Sequence, residues 1–133
     1  MVQKKAIRIC KHEGYLSHTR PIFLYFKTLC VYDMIDYNNM VFMFKAHNNL
    51  LPDRLLCYFK RVCDSHNHNT RNKNNNYKIK YSRKSQKAAC ISIKGPKLWN
   101  QLHPDLQTCR TVYQFKSHYK RLLLQRYEQL DYY

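Results

Sequence analysis

Apolar residues recur along most of this chain at helical rather than strand spacing. Residues 2–12 put Val2, Ala6 and Ile9 on one face and Lys4, Lys5, Arg8 and Lys11 on the others, predicting a short amphipathic helix that Gly14 ends. A second helix is expected to start near Thr19, an N-cap residue, with Pro21 in its first turn, where a missing N–H costs no hydrogen bond. It carries Ile22, Phe23, Tyr25 and Phe26. Residues 31–47 predict a longer helix striped by Met34, Tyr37, Val41 and Phe44. Asp33 and Asp36 are placed in its first turn, where the helix dipole favours carboxylates, and Asn48 and Asn49 suit its exit. Pro52 opens a short helical run through Leu55, Leu56 and Phe59.

The pattern then breaks. No apolar periodicity survives between Asp64 and Asn76, and asparagines crowd this stretch, so a mobile, basic loop is expected. Residues 77–81 alternate with period two and predict a strand, which residues 88–93 would pair with as a hairpin. Gly95-Pro96 is read as punctuation, followed by a short helix over 97–102 that holds Trp99 and a turn at His103-Pro104-Asp105. A closing helix over 111–127 stripes Val112, Phe115, Tyr119 and Leu122, with Lys116, Lys120 and Arg121 facing away. The expected fold class is mainly α: a small helical domain with one short β-hairpin and a basic, mobile central loop. Its segments run 1–14, 15–59, 60–76 and 77–133, and the 133 residues suffice for one domain overall.

Charge changes this picture most. Twenty-four Lys and Arg against eight Asp and Glu give a formal net charge of +16. An excess of this size favours polyanions through phosphate contacts and counterion release. Half of it lies between Lys60 and Lys87, which hold nine basic residues and one acid. The expected partner is therefore RNA or DNA, bound electrostatically and without sequence preference. Arg71, Lys73, Lys78, Lys80, Arg83, Lys84 and Lys87 are the central candidates, interleaved with Tyr77 and Tyr81 as stacking rings. Lys4, Lys5 and Arg8 near the start and Lys116, Lys120 and Arg121 near the end complete the set. The alternative for Tyr77, Ile79 and Tyr81 is one buried strand face with solvated lysines opposite. The two are compatible.

The six cysteines follow no disulfide framework, Lys4 and Lys5 precede no apolar run, and the longest apolar stretches fall far short of a membrane span. Free thiols in a reducing compartment, nuclear or cytoplasmic, are expected, with no membrane association.

Catalytic constellations are not visible. The contiguous His66-Asn67-His68-Asn69 cannot place a base and a metal ligand as an HNH nuclease does. Cys57, Cys63, His66 and His68 offer four zinc ligands, but with Cys spacing wider and His spacing narrower than tetrahedral sites use. Pro52-Asp53 and Pro104-Asp105 lack the following acid-x-Lys of a PD-(D/E)xK site. Asp33 and Asp36 lie on a predicted helix rather than on a polymerase hairpin. Gly14 and Gly95 are the two glycines of the chain and make no phosphate-cradling loop. No enzyme activity, cofactor or metal is expected.

Several blocks follow in a particular order: Gln3-Lys4-Lys5-Ala6-Ile7-Arg8; His18-Thr19-Arg20-Pro21; Asn48-Asn49-Leu50-Leu51-Pro52 after a Met/Phe-rich helix; the polar run from His66 to Arg71; and Gly95-Pro96-Lys97-Leu98-Trp99-Asn100 with Leu102, His103 and Pro104. Phe115-Lys116 and Lys120 close the series. This order resembles the region that follows the polymerase domain in jockey-like non-LTR (LINE-type) retrotransposon reverse transcriptases. His103 interrupts a Leu-Pro step that the family usually runs directly.

The resemblance implies that 1–14 ends a thumb-like basic helix and that Gly95, Pro96, Trp99, Asn100 and Leu102 form a structural block. It also implies that the fingers and palm of an RNA-directed DNA polymerase lie upstream. This tail would then be a non-catalytic fragment that packs on the missing thumb and holds RNA or DNA. The alternatives are a structural or decayed remnant without independent activity and, more weakly, a small zinc-binding protein.

Overall fold

The computed structural model describes residues 2–64 and 76–129. Among these the chain is mainly helical: α1 (Val2–Cys10), α2 (Thr19–Tyr25), α3 (Val31–His47), α4 (Asp53–Leu56), α5 (Ser85–Ala88), α6 (Ile91–Asn100), α7 (Pro104–Gln107) and α8 (Val112–Gln129). The only β pairing among the described residues is an isolated antiparallel bridge between Arg61 and Tyr77. Most of the stretch expected as a loop, residues 65–75, lies outside the described residues.

The expected hairpin is absent: residues 88–93 close α5 and open α6 instead of forming a strand. Two alanines and an unbranched lysine favour a helical turn here, and Cys90 supplies the extended entry to α6 at φ −63°, ψ 147°. Gly95-Pro96 does not punctuate the chain either, because both residues sit inside α6 and are buried. Gly95 serves close approach. A Cβ there would meet the Met43 Sδ at 2.8 Å and its Cγ at 3.0 Å. Packing against α3 therefore overrides the local preference of Gly and Pro against helix interiors.

The endings of α1, α2 and α3 follow one local device. At His12, Lys27 and Asn49 the backbone turns left-handed, at φ 56°, 48° and 54°. In each case the next amide reaches back five residues: Glu13 N–H to the Arg8 carbonyl at 2.9 Å, Thr28 to Phe23 at 3.0 Å and Leu50 to Lys45 at 2.8 Å. These are Schellman endings, built without glycine. Thus His12 rather than Gly14 ends α1, whose expected apolar face stays exposed at Val2 and Ile9. The N-cap of α2 is His18, one residue before the expected Thr19. Asp33 alone occupies the first turn of α3. The stripe of α8 runs Phe115, Tyr119, Leu123 and Tyr127, a strict four-residue spacing that replaces Leu122 by Leu123. Thr111 caps this helix, accepting from the Gln114 amide at 3.2 Å.

The chain divides into two compact units, with α3 and α8 running through both. The first comprises the residues up to Tyr37 and those from Ser117 onward. Its node is the start of α3. There the Gln3 side chain bridges the Leu29 carbonyl at 3.0 Å and the Val31 amide at 2.9 Å. The Tyr127 hydroxyl accepts from the Cys30 amide at 3.1 Å and donates to the Asp33 carboxylate. Ile22, Phe23, Leu29 and Leu123 are buried in this unit, and the rings of Tyr37 and Tyr119 stack 6.3 Å apart.

The second unit, Asn38–Lys116, is built on Trp99. This ring is fully buried, with Phe44 at 6.5 Å, Phe115 at 6.2 Å, His47 at 4.9 Å and Tyr77 at 6.3 Å between centroids. Phe44 and Phe115 stack on each other at 4.5 Å. Gln107 donates to the Trp99 carbonyl at 3.0 Å, so α7 is tied to the same residue.

Gly95→Val has nowhere to place its methyl groups, because Met43 is itself fully buried. It is expected to lower unfolding free energy by about 1–3 kcal/mol in urea denaturation. Lys27→Gly acts in the opposite sense. It relieves the left-handed backbone at an exposed position and is expected to raise stability by roughly 0.5–1 kcal/mol, read as a higher urea midpoint.

Candidate nucleic-acid interface

The basic stretch beyond residue 76 is fastened at one residue and open afterwards. Tyr77 is the fastening point. On one backbone edge the Val62 amide donates to the Asn76 carbonyl at 3.0 Å, and the Lys78 amide to the Lys60 carbonyl at 2.9 Å. Asn100 occupies the other edge. Its Oδ1 accepts from the Tyr77 amide and its Nδ2 donates to the Tyr77 carbonyl, both at 2.8 Å. One side-chain amide thus completes both backbone groups of a buried residue, as a neighbouring strand would. The Tyr77 ring meets Phe59 at 6.3 Å as well as Trp99 and His47.

Charge at this root is restrained. Burial pushes the Tyr77 phenol above its ordinary value, partly offset by Arg61. Burial, followed by the nearby Arg61 guanidinium, pushes His47 below its ordinary value. Arg61 donates to the His47 carbonyl at 2.7 Å, and the Tyr77 hydroxyl lies 3.4 Å from His47 Nδ1. A recess of ≈ 300 Å³ beside Tyr77 is lined in part by Leu56, Phe59, Arg61 and Asp64. Among the described residues it is lined by one cation and one anion, Arg61 and Asp64.

Past Tyr77 the chain leaves the core. Exposure of the odd-numbered side chains climbs from 3% at Tyr77 to 49% at Ile79 and 85% at Tyr81. The expectation of one buried face over Tyr77, Ile79 and Tyr81 thus holds at Tyr77 alone, because the bridge and the Asn100 clamp both stop there. Lys78, Lys80, Arg83, Lys84 and Lys87 are all exposed. No carboxylate residue occurs between Asp64 and Asp105 to neutralise them. The ammonium of Lys80 lies 5.9 Å from the ring centroid of Tyr58, a residue not singled out from sequence. Nothing in the 57–59 run signals that contact, which depends on how the chain returns through the Arg61–Tyr77 bridge.

The other candidates divide. On α1, Lys4 is exposed, whereas Lys5 and Arg8 flank the Tyr15 ring at 5.9 and 6.0 Å. Arg8 also donates to the Ser17 carbonyl at 2.8 Å, so its guanidinium already holds the loop after α1. Lys116, Lys120 and Arg121 are exposed on α8, and Lys116 and Lys120 are one turn apart on one helix face. Arg71 and Lys73 lie outside the described residues, as do His66 and His68 of the zinc alternative. Cys57 is exposed rather than packed inside a helical run, and its thiol donates to the Arg54 carbonyl at 3.1 Å. No group of three or more metal-ligating side chains occurs among the described residues.

The structural block acquires roles. Gly95 admits Met43, Pro96 and Trp99 fill the core, Asn100 clamps Tyr77, and Leu102 is half-buried. Several carboxylates serve helix starts: Asp33 on α3, Asp53 on α4 and Asp105 on α7. Among the described residues no helix is long and apolar enough to cross a membrane. No protein-family model, curated protein or solved structure matches this chain.

The His47 environment yields a pH test. Its folded value lies below the unfolded one, so the unfolded state binds the extra proton, and stability falls as pH drops below about 6.5. His47→Phe keeps a ring against Trp99 and removes the titration. The difference in urea midpoint between pH 8 and pH 5 is expected to shrink in this variant, and an unchanged difference would assign the acid loss to other groups.

Proposed function

We propose that this chain is a non-catalytic, nucleic-acid-binding piece of a retrotransposon RNA-directed DNA polymerase, corresponding to the basic tail after the polymerase domain of non-LTR elements. Its partner is RNA or DNA, held by phosphate contacts inside the cell, in nucleus or cytoplasm. The observation that carries the binding part is the exposure of Lys78, Lys80, Arg83, Lys84 and Lys87 on a segment whose root is clamped at Tyr77. A fixed root lowers the ordering cost of bringing these cations to a polyanion. The ordered blocks and the structural block around Trp99 support the retrotransposon origin.

A second reading has its own observation. The first unit exposes Val2 at 82%, Ile9 at 73%, Leu16 at 88% and Tyr32 at 81%. Apolar surface of this kind suits a remnant that leans on a polymerase thumb. In that case the isolated chain would lack a cooperative thermal transition.

Five phosphate contacts imply a slope of log K against log salt near −4.5 on duplex DNA, by roughly −0.9 per contact. Replacing Lys78, Lys80, Arg83, Lys84 and Lys87 together by Gln is expected to flatten the slope by about 4.5 and to weaken binding to all sequences alike. Fluorescence anisotropy across a salt series measures both. Absence of binding to RNA and DNA even at low salt would sink the proposal.

A further inference from the structure

Resting on the nucleic-acid reading above, we infer that residues 78–84 together with Tyr58 form a site for single-stranded nucleic acid. Bases stack on Tyr58 and Tyr81, and Lys78, Lys80, Arg83 and Lys84 hold the phosphates. Two exposed rings and a row of cations occur together here, all within the second unit. Tyr81 is 85% exposed and Tyr58 55% exposed. Neither ring contributes the burial that aromatic residues normally bring to a fold.

Lys80 joins the two parts of the site. Its ammonium approaches the Tyr58 ring at 5.9 Å, although the two residues are far apart in sequence. A cation is thereby held beside a ring whose remaining surface is open, the combination that engages a base and its phosphate at once. Tyr81 follows on the same extended stretch, and Arg83 adds a planar guanidinium that can stack or pair with phosphate. Tyr77 cannot share this work, because its ring is enclosed by Trp99, Phe59 and His47. Its task is to hold the base of the segment.

The choice of strand state follows from where base faces are. In a duplex they are stacked against one another, and the grooves present edges, so exposed tyrosine rings gain nothing beyond what the lysines provide. In a single strand the faces are accessible and every base has one, so stacking adds affinity without sequence preference. Charge alone would hold either form. The rings are what separate them.

The test uses the full chain with labelled oligo(dT), oligo(U) and a duplex of matched length, compared by anisotropy at equal salt. The wild-type chain is expected to prefer the single strands, and the two homopolymers report any RNA or DNA bias. Tyr58→Ala and Tyr81→Ala are each expected to weaken single-strand binding by about 5- to 100-fold, leaving salt slope and duplex affinity unchanged. Tyr58→Phe and Tyr81→Phe, which keep the ring, are expected to retain wild-type affinity. Urea midpoints confirm that the variants fold.

Equal affinity for single strands and duplex, with alanine variants indistinguishable from wild type, overturns this inference and leaves purely electrostatic binding standing. No binding to any of the three probes at low salt overturns both.

Discussion

Trp99 has to be enclosed, and the second unit is arranged around that requirement. As the one tryptophan of a chain with modest core volume, it is surrounded by Phe44 from α3, Phe115 from α8, His47 and Tyr77. α6 can bring it there because Gly95, one turn earlier, lets the helix backbone press against Met43. Asn100 follows Trp99 directly, so seating the indole also positions the amide that grips Tyr77 on both backbone atoms. The exposed cations begin at the next residue. Core packing and the root of the basic segment are therefore mechanically one feature, carried by two adjacent positions on α6.

The first unit solves a different problem, the start of α3. Its opening amides are satisfied from distant parts of the chain, by Gln3 on α1 and by Tyr127 on α8. Tyr127 accepts from Cys30 while donating to Asp33, so its hydroxyl uses both of its capacities. Burial and then the bond to Asp33 hold its proton far above the ordinary tyrosine range. Tyr119, two turns earlier, is pushed up to about 12, mainly by burial. Burial thus favours the protonated form of both phenols.

Much of the helical framework was legible because it rests on local signals. The limits of α3 follow from apolar spacing, the first-turn Asp33 and the tolerance of Asn49 for left-handed backbone. The start of α8 near Thr111 followed from its apolar stripe, and the structure adds the cap that Thr111 supplies. What failed were residues whose usual local meaning yields to packing. Gly95 and Pro96 read as a break and act as a contact surface, while Gly14 read as a stop that His12 supplies. Residues 77–81 alternate like a strand, but with a single bridge and a side-chain clamp the pairing ends at Tyr77. The cations were legible because lysine defaults to the surface. Tyr58 and the Asn100 clamp were not, since each depends on segments that meet only after folding.

The distribution of acids and exposed rings bears on what kind of protein this is. A metal-dependent polymerase or nuclease gathers carboxylates into one place. Here Asp33, Asp53 and Asp105 stand at the starts of three different helices, and Asp33 is further engaged by Cys30 and Tyr127. Each is explained by helix-end electrostatics. The exposed tyrosines carry the argument in the other direction. Tyr81 stands in water within a cationic stretch, where burying a ring of that size would add roughly 2 kcal/mol. Its position in sequence between Lys80 and Arg83 is the arrangement expected if, as proposed, its contact is a nucleobase.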